Sequence, residues 1–308
     1  MPFHRNGWRT EWIRRRNLAK ILATAPLITS RSLDGDVAIC LMCHSGDWVA
    51  ALWAIKSFYY HLSEAYPLVV RVQGNFATRD LEELRRHLPM AQFVTQSEAD
   101  QRVTGALERL DCPRLRELRS GVVHIQKLTD FAVVSQAQAL FVLDSDILFF
   151  QAPNELKEAL HKEGALVFQQ DHASSYVLSP EQSLAAFGLE LPERLNVGMM
   201  LFPRQDIDFR LCEEWLGNPV FDAHRKTPHI EQTLWALLAS KRGNHQLLPP
   251  SYALSLDGAL PSLSGVIARH YVSPVRHLFF DEGLTHLLDS GFFSSLDQSS
   301  LFQHARLR

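Results

Sequence analysis

Cysteine is scarce in this 308-residue sequence, which contains only Cys40, Cys43, Cys112 and Cys212. Four cysteines are too few for the disulfide framework of a small secreted protein. Cys40 and Cys43 have the C-x-x-C spacing of a redox or zinc pair. They lie, however, in an apolar run typical of a strand, where buried thiols are the better interpretation. This cysteine usage favours a cytoplasmic protein.

Long apolar runs and a large excess of one charge are also missing. Without a stretch of about 18 apolar residues, we expect no membrane-spanning helix. The formal net charge of −3 gives no indication of a nucleic-acid partner. Hydrophobic residues make up 46% of the chain and charged residues 21%, as in a globular protein with ample material for a core. The length allows one large α/β domain or two small ones.

The most informative stretch present runs from Phe141 to Phe150, with the sequence FVLDSDILFF. Its apolar residues predict a buried strand of a parallel sheet, yet Asp144 and Asp146 are of a type depleted in strands. Residues two apart in a strand point to the same side, and two carboxylates in apolar surroundings need a compensating charge. Carboxylate oxygens are natural ligands of Mg2+ and Mn2+. The stretch therefore predicts a metal site at the carboxyl end of a strand; the alternative is a solvated turn where the strand has ended.

The first part of the chain predicts a β-α-β unit, with strands over residues 37–43 and 68–72 and a helix over 48–60. It lacks the G-x-G-x-x-G of dinucleotide-binding proteins, which argues against a dehydrogenase. Asp47 stands between the first strand and the helix, where an acid could also serve as a helix cap. Lys127 precedes Asp144 by seventeen residues. By itself, such a lysine would be interpreted as a solvated surface group.

The second part of the chain also has polar residues in apolar surroundings. Asn196 and Gly198 interrupt the apolar run LNVGMMLF, and a glycine in a strand often marks the close approach of a ligand or of another backbone segment. Thr227-Pro228 predicts a helix start with Thr227 as its cap, which places Glu231 and Gln232 in the first turns. Glu231 could be there only because acids are favoured near a helix N-terminus.

Together these features resemble the A-type nucleotide-sugar glycosyltransferases, most closely the retaining family 8 (the galactosyltransferase and glycogenin group). The matches follow the family's order over residues 37–280: an acid after the first strand (Asp47) and then a basic residue before the metal strand (Lys127). Next come a D-x-D (Asp144-Ser145-Asp146), an N-x-G strand (Asn196-Val197-Gly198) and an acid–Gln pair (Glu231-Gln232). The last match is His-Tyr (His270-Tyr271) with a basic residue six positions after the histidine (Arg276).

The resemblance implies an α/β fold of the A type: a Rossmann-like, mostly parallel sheet with helices on both faces and a smaller acceptor-side region. It also implies that Asp144, Asp146 and His270 bind Mn2+ or Mg2+, which would bridge the phosphates of a nucleotide-diphosphate sugar. Without the resemblance, a lone strand histidine such as His270 would be interpreted as a core residue. Two carboxylates with one imidazole suit Mn2+ slightly better than Mg2+.

The resemblance further implies a donor such as a UDP-hexose and transfer with retention to an unidentified acceptor: a protein, lipid, glycan or small metabolite. Glu231 and Gln232 would flank the anomeric carbon as the catalytic residues. The residues implied in donor binding are Asp47, Lys127, Asp144, Asn196, Gly198 and Arg276, with Asp171 as a further candidate for a sugar hydroxyl.

Some positions depart from the family and leave other functions open. Glu231 replaces the family's Asp, Arg276 replaces its Lys, and His277-Leu278-Phe279 stands where the family has Gly and Pro-Trp. One alternative is a haloacid-dehalogenase-like phosphatase with Asp144 as nucleophile, for which Asp281-Glu282 is the only late acidic pair. Another is a nucleotide-sugar-binding protein without turnover.

The predicted organisation has three parts. Residues 1–36 form a basic, aromatic helical extension, and residues 281–308 form a C-terminal tail. Between them, residues 37–280 form one glycosyltransferase domain, with a nucleotide-binding half over 37–150 and a sugar and acceptor half over 151–280. Trp8 and Trp12 have helical spacing, so we expect a helix that packs on the domain. Peripheral contact of residues 1–30 with an anionic membrane is the alternative.

Overall fold

The computed structural model describes residues 7–29, 36–296 and 298–302; the remainder of the predicted N-terminal extension and C-terminal tail lies outside these ranges. The α-helices are α1 (Gly7–Leu22), α2 (Trp48–Leu62), α3 (Thr78–His87), α4 (Gln96–Arg109), α5 (Pro113–Gly121), α6 (Ile125–Val134), α7 (Asn154–Leu160), α8 (Pro180–Phe187), α9 (Phe209–Leu216), α10 (His229–Arg242), α11 (Thr285–Asp289) and α12 (Phe292–Leu296). The strands are β1 (Val37–His44), β2 (Leu68–Gln73), β3 (Gln92–Val94), β4 (Ala139–Leu143), β5 (Ile147–Phe149), β6 (Val167–Gln170), β7 (Leu195–Pro203), β8 (Gln246–Leu247), β9 (Tyr252–Ala253) and β10 (Ala268–His270).

The central sheet has seven strands in the order β3-β2-β1-β4-β7-β6-β8. Strands β3, β2, β1 and β4 are parallel, β7 is antiparallel to both of its neighbours, and β6 pairs in parallel with β8. The predicted mostly parallel α/β sheet is therefore confirmed.

Both faces of the sheet are buried, which explains why its strands are apolar without alternation. Ile39 and Leu41 of β1 point into a core that includes α2, and Ala38 and Cys40 point into a second core under α4, α5, α6, α9 and α10. Cys40 and Cys43 are buried free thiols, as predicted. Burial raises the pKa of both thiols, so neither is prepared for redox or metal chemistry.

The stretch from Phe141 to Phe150 is not one strand, and this part of the prediction was wrong. Strand β4 ends at Leu143, residues 144–146 form a turn, and β5 then joins a second sheet of three strands in the order β5-β10-β9. The chain leaves one sheet and enters another because β10 pairs antiparallel with β5, with His270 opposite Ile147. The turn is nevertheless far from solvated, because Asp146 is only 5% exposed.

Four segments meet at one edge of the central sheet. The parallel strands β1, β4 and β6 have their carboxyl ends there, and the antiparallel strand β7 begins there. Helices α6 and α10 precede β4 and β8, strands of that same direction, so their first turns lie at this edge. Helix α10 begins at His229, and its N-cap is Pro228 rather than the predicted Thr227.

The terminal segments pack on the same core as the sheet. Ile21 and Leu27 near the N-terminus and Leu296 and Phe302 near the C-terminus are buried in the core that contains α2. The segments also pair with each other, since the amide of Ile28 donates to the carbonyl of Leu301 at 2.8 Å. The division of the chain at residues 36 and 280 stays a prediction. Among the described residues, every helix is too short or too polar to cross a bilayer.

Candidate metal and donor site

Asp144 lies at the centre of the polar group at the carboxyl edge. Its amide donates to the carbonyl of Gly198 at 2.7 Å, which fixes the turn after β4 against the start of β7. The ammonium of Lys127, in the first turn of α6, contacts both carboxylate oxygens at 3.1 and 3.2 Å. Burial opposes the charge on Lys127, but the carboxylates of Asp144 and Glu231 outweigh it and raise its pKa. Lys127 is therefore a buried cation in the site and not a surface group.

Asp146 is paired with two cationic or potentially cationic groups from other elements. The guanidinium of Arg276 donates to Oδ2 from Nη2 at 2.8 Å and from Nε at 3.1 Å, and Nε2 of His270 lies 3.1 Å from Oδ1. Burial alone would raise the pKa of the Asp146 carboxyl, yet Arg276 and His270 hold it well below its usual range. The carboxylate therefore stays ionised inside the protein.

Gln169 orients His270, and sequence reasoning missed it. The amide nitrogen of Gln169 donates to the carbonyls of Tyr252 and Ala253 at 3.2 and 3.3 Å, so its oxygen is the atom that faces Nδ1 of His270 at 3.0 Å. Because this oxygen can only accept, Nδ1 carries a proton, and Nε2 is the ring nitrogen that faces the aspartates. A signal was present: a polar residue ends an apolar strand just before the candidate Asp171.

Gly198 allows the histidine and the aspartate to approach β7 closely. A Cβ atom at this position would lie 2.2 Å from Cε1 of His270 and 3.0 Å from Oδ2 of Asp144. Any side chain would therefore displace the imidazole. The predicted close approach at this glycine is thus explained by the site residues themselves.

The ligand set fits a divalent cation. One oxygen each of Asp144 and Asp146 and one imidazole nitrogen of His270 all lie within 4.8 Å of one another. Nε2 of His270 is 3.1 Å from Asp146 and 3.8 Å from Asp144. Adjacent ligands of an octahedral ion, each about 2.1 Å from the metal, are about 3 Å apart. In the neutral imidazole, Nε2 can complete this set, which suits Mn2+ or Mg2+.

A second hydrogen-bonded group lies beside the metal ligands. Oδ2 of Asp171, just after β6, accepts from the side-chain amides of Asn196 at 3.0 Å and Gln232 at 3.2 Å. The oxygen of Asn196 in turn accepts from the amide of Gly198 at 2.9 Å, which connects this group to the metal ligands. The backbone amide of His172 donates to Oδ1 of Asp171 at 2.8 Å. All these polar atoms face the same edge of the sheet.

Glu231 is buried in the first turn of α10. Burial raises the pKa of its carboxyl to about 7; the charge of Lys127 and a hydrogen bond from the indole of Trp235 oppose this rise, and the charge of Asp144 adds to it. The indole nitrogen lies 2.7 Å from Oε1. Because it interacts with Lys127 and Asp144, Glu231 belongs to the same electrostatic group as the metal ligands.

Asp47 lies near this group without a hydrogen bond to it. It occupies the N-cap position of α2 but does not cap the helix with its side chain, and its Oδ1 is buried without a hydrogen-bond partner. Burial raises the pKa of this carboxyl, Arg276 lowers it, and Asp146 raises it. This oxygen is therefore available to accept a hydrogen bond from a ligand or a water molecule.

The phosphatase alternative does not agree with the structure. Its acidic pair, Asp281-Glu282, has structural roles: Glu282 forms an ion pair with the buried Arg269, and Asp281 accepts a hydrogen bond from Thr10 at 3.2 Å. Asp144 contacts Lys127 and Gly198 instead. Neither carboxylate of this pair hydrogen-bonds to the turn that carries Asp144, the nucleophile in the phosphatase alternative.

A cavity of about 920 Å³ opens at the opposite edge of the sheet. It is lined by the starts of β1 and β4 and the end of β7, including Val37, Ala139 and Pro203. None of the predicted site residues lines it. The polar edge described above is therefore the better candidate for chemistry.

The sheet order, the site at its carboxyl edge and the second small sheet define the A-type glycosyltransferase fold. Among solved structures, the chain is similar to mouse xyloside xylosyltransferase 1 in its apo form, with a TM-score of 0.51 and 12% identity over 78% of this chain and 99% of that one. It is also similar to the apo form of the glycosyltransferase GlyE of Streptococcus pneumoniae TIGR4, with a TM-score of 0.51 and 13% identity over 89% of this chain and 66% of that one. No family model and no curated protein matches the chain. At these identities the likeness establishes the fold.

Proposed function

We propose that the protein is a metal-dependent glycosyltransferase that moves a hexose from a UDP-sugar to an acceptor with retention of configuration. The observation that carries the proposal is the convergence of Asp144, Asp146 and His270, from two sheets, on one point at the carboxyl edge of the fold. Open α/β sheets bind their ligands at this edge. The fold alone would also suit a protein that binds a nucleotide-sugar without turning it over.

Asp144, Asp146 and His270 would hold the cation, which when bound supplies Lewis-acid stabilisation of a leaving diphosphate. The chain itself supplies two further positive charges. Lys127 contacts Asp144 and Arg276 contacts Asp146, so both are placed to neutralise a diphosphate that arrives there. Charges fixed before the reaction stabilise the transition state without reorganisation.

Asp171, Asn196 and Gln232 support the sugar side of the proposed site. Their mutual hydrogen bonds hold amide and carboxylate groups at the edge, where they can bind sugar hydroxyls. Glu231 precedes Gln232 on α10 and interacts with Lys127, and its carboxylate can stabilise positive charge at the anomeric carbon. The departing phosphate can take the proton of the acceptor, so the chain needs no separate base. The four cysteines are free and buried, which supports a reducing compartment such as the cytoplasm.

Thermal denaturation with UDP, GDP, CDP and TDP, each with Mn2+ or with EDTA, tests the proposal. We expect UDP with Mn2+ to raise Tm the most, and Asp146→Asn to abolish that rise. Hydrolysis of UDP-hexoses, followed as Mn2+-dependent release of UDP, then separates an enzyme from a binding protein. A rise in Tm without hydrolysis or transfer would indicate the binding protein, and no nucleotide effect at all would contradict both.

A further inference from the structure

The outward face of α1 combines aromatic and cationic side chains. Trp8 is 85% exposed and Trp12 is 54% exposed, one helical turn apart; the other exposed large hydrophobic residues among the described ones, Val123 and Leu184, lie on other parts of the chain. The guanidinium of Arg16 stacks over the Trp12 ring at 5.1 Å. Arg9 and Lys20 are exposed beside this stripe. Two indoles held in water by a rigid helix mark an interaction surface.

The charge of this helix is opposite in sign to that of the rest of the chain. Residues 7–22 carry five cations and one anion, a formal charge of +4, whereas the whole chain carries −3, so the remainder carries −7. The single acid, Glu11, forms ion pairs with Arg14 and Arg15. The outward face is therefore a local cationic surface on an acidic protein.

The inward face of α1 is attached next to the proposed donor site. Thr10 is buried and donates to Asp281, a few residues after Arg276. Arg14 donates to the carbonyl of Gly46 at 3.4 Å, in the turn that leads to Asp47. The helix thus lies beside the carboxyl edge, while Trp8, Trp12 and Arg16 are exposed on its outward face.

We propose that the outward face of α1 is a docking surface for an anionic membrane. Indole rings partition to the boundary between headgroups and acyl chains, and arginine and lysine bind anionic headgroups. Like charges oppose pairing of two copies through this face. The strongly negative remainder of the chain opposes a nucleic acid that extends beyond one helix. A bilayer needs only this one exposed face. Binding of α1 to a bilayer would bring the carboxyl edge of the sheet, with the proposed donor site, close to the membrane surface.

Flotation with vesicles of phosphatidylcholine containing about one third phosphatidylglycerol tests the proposal, with phosphatidylcholine alone for comparison. We expect binding only to the anionic vesicles, lost as ionic strength approaches about 1 M. Each surface cation contributes about fivefold, so Arg9→Gln, Arg16→Gln and Lys20→Gln together lower the partition coefficient roughly 10²-fold. Trp8→Ala with Trp12→Ala lowers it at least about tenfold through lost apolar burial.

Matched variants remove the same charges and apolar groups elsewhere. Lys162→Gln, Arg210→Gln and Lys241→Gln together, and Leu184→Ala with Val123→Ala, are expected to bind vesicles like the parent. All positions are exposed, so equal Tm values verify that the variants are folded. The readout needs no enzymatic activity, and its result is independent of the glycosyltransferase proposal.

Three kinds of result would overturn the proposal. The first is a vesicle result that differs from the expected one: either equal binding to neutral and anionic vesicles, or α1 variants that bind like the parent. Another is a dimer in sedimentation equilibrium that the tryptophan variants dissociate, which assigns the face to a second copy. The third is binding of labelled poly(U) that is lost in the α1 variants while vesicles fail to bind, which assigns it to single-stranded nucleic acid.

Discussion

At the scale of single residues, each aspartate of the candidate metal site has its own cation. Asp144 is paired with Lys127, and Asp146 with Arg276. From the sequence, two neighbouring aspartates suggest repulsion that a mutation would relieve. The structure indicates that mutation of Asp146 is destabilising instead, because it removes the carboxylate that pairs with the largely buried guanidinium of Arg276. Loss of one member of a buried pair is destabilising.

The role of Gln169 gives the first prediction. Gln169→Leu removes the acceptor that keeps the proton on Nδ1 of His270, so we expect the affinity for Mn2+ with UDP to fall about 10- to 100-fold. Titration calorimetry measures the affinity. Gln170→Leu, the next residue on the same strand, has no such contact and is the control. Equal affinities of the parent and Gln169→Leu would refute the role.

The buried carboxyl of Glu231 gives a prediction for pH. With its pKa raised to about 7, the native protein keeps a proton that the unfolded chain releases from about pH 4.5. The unfolded state then binds fewer protons, so the free energy of unfolding falls as pH rises from about 4.5 to 7. The fall is up to about 3 kcal/mol and levels off above pH 7.

Glu231→Gln removes this titration and keeps an oxygen that can accept from Trp235. Urea denaturation in EDTA should therefore show the variant gaining about 2–3 kcal/mol relative to the parent between pH 4.5 and 7.5. The exposed Glu158→Gln serves as the control and should follow the parent.

In turnover assays with metal, Glu231→Gln is expected to lower kcat by about 10² to 10³ with donor affinity unchanged. A pH-independent stability difference would contradict the buried-carboxyl interpretation.

At the scale of the elements, α6 is fixed by a buried ion network. Asp130, one turn after Lys127, accepts from Arg71 on β2 at 2.9 Å and from Arg119 on α5 at 2.7 Å. Thr129 donates to the same carboxylate at 3.0 Å. This network ties the helix that carries Lys127 to the sheet and to its neighbouring helix.

Asp130→Asn tests this anchoring. It leaves the buried guanidinium of Arg71 without a charged partner and leaves Arg119 paired with Asp100 alone, so we expect the free energy of unfolding in urea to fall by about 3–5 kcal/mol. Asp222→Asn breaks the exposed pair with Arg225 and is expected to cost less than about 1 kcal/mol. Similar losses in the two variants would show that the network does not stabilise the fold as its burial implies.

The sequence allowed much of the central sheet to be predicted, because its strands are apolar runs and β1, α2 and β2 follow one another with helical and strand periodicity. The second sheet could not be predicted. Its strands have two or three residues each, and the break after Leu143 depends on pairing with β10, more than a hundred residues later. For the site, the local pattern indicated Asp144 and Asp146, whereas His270 was predicted only through the resemblance to the family. Gln169 was missed because its role depends on a contact with His270, a hundred and one residues later in the chain.

At the scale of the whole molecule, the terminal segments close one side of the core. Lys56 of α2 is buried and donates to the carbonyl of Ala25 at 2.8 Å, while its ammonium lies 5.9 Å from the ring centre of Phe302. Phe302 itself is 2% exposed and pairs with Leu27. The two ends of the described chain thus share one packing site.

Phe302→Ala is therefore expected to act as a core mutation despite its position near the C-terminus. Deleting a buried phenyl ring typically costs about 3–5 kcal/mol, and denaturant unfolding measures it. Leu184→Ala, which is 52% exposed, should cost less than about 0.5 kcal/mol. An effect of Phe302→Ala as small as this control would show that the C-terminal segment does not stabilise the fold.

The turn at residues 144–146 connects two sheets, and His270 belongs to the smaller one. A cation held by Asp144, Asp146 and His270 would join the two sheets, so its binding free energy would resist any fluctuation that separates them. By mass action, a concentration one hundred times Kd adds about 2.7 kcal/mol to the stability of the joined state. Hydrogen exchange would then slow most at the amides of residues 147–149 and 268–270, so the smaller sheet would report metal occupancy without any assay of turnover.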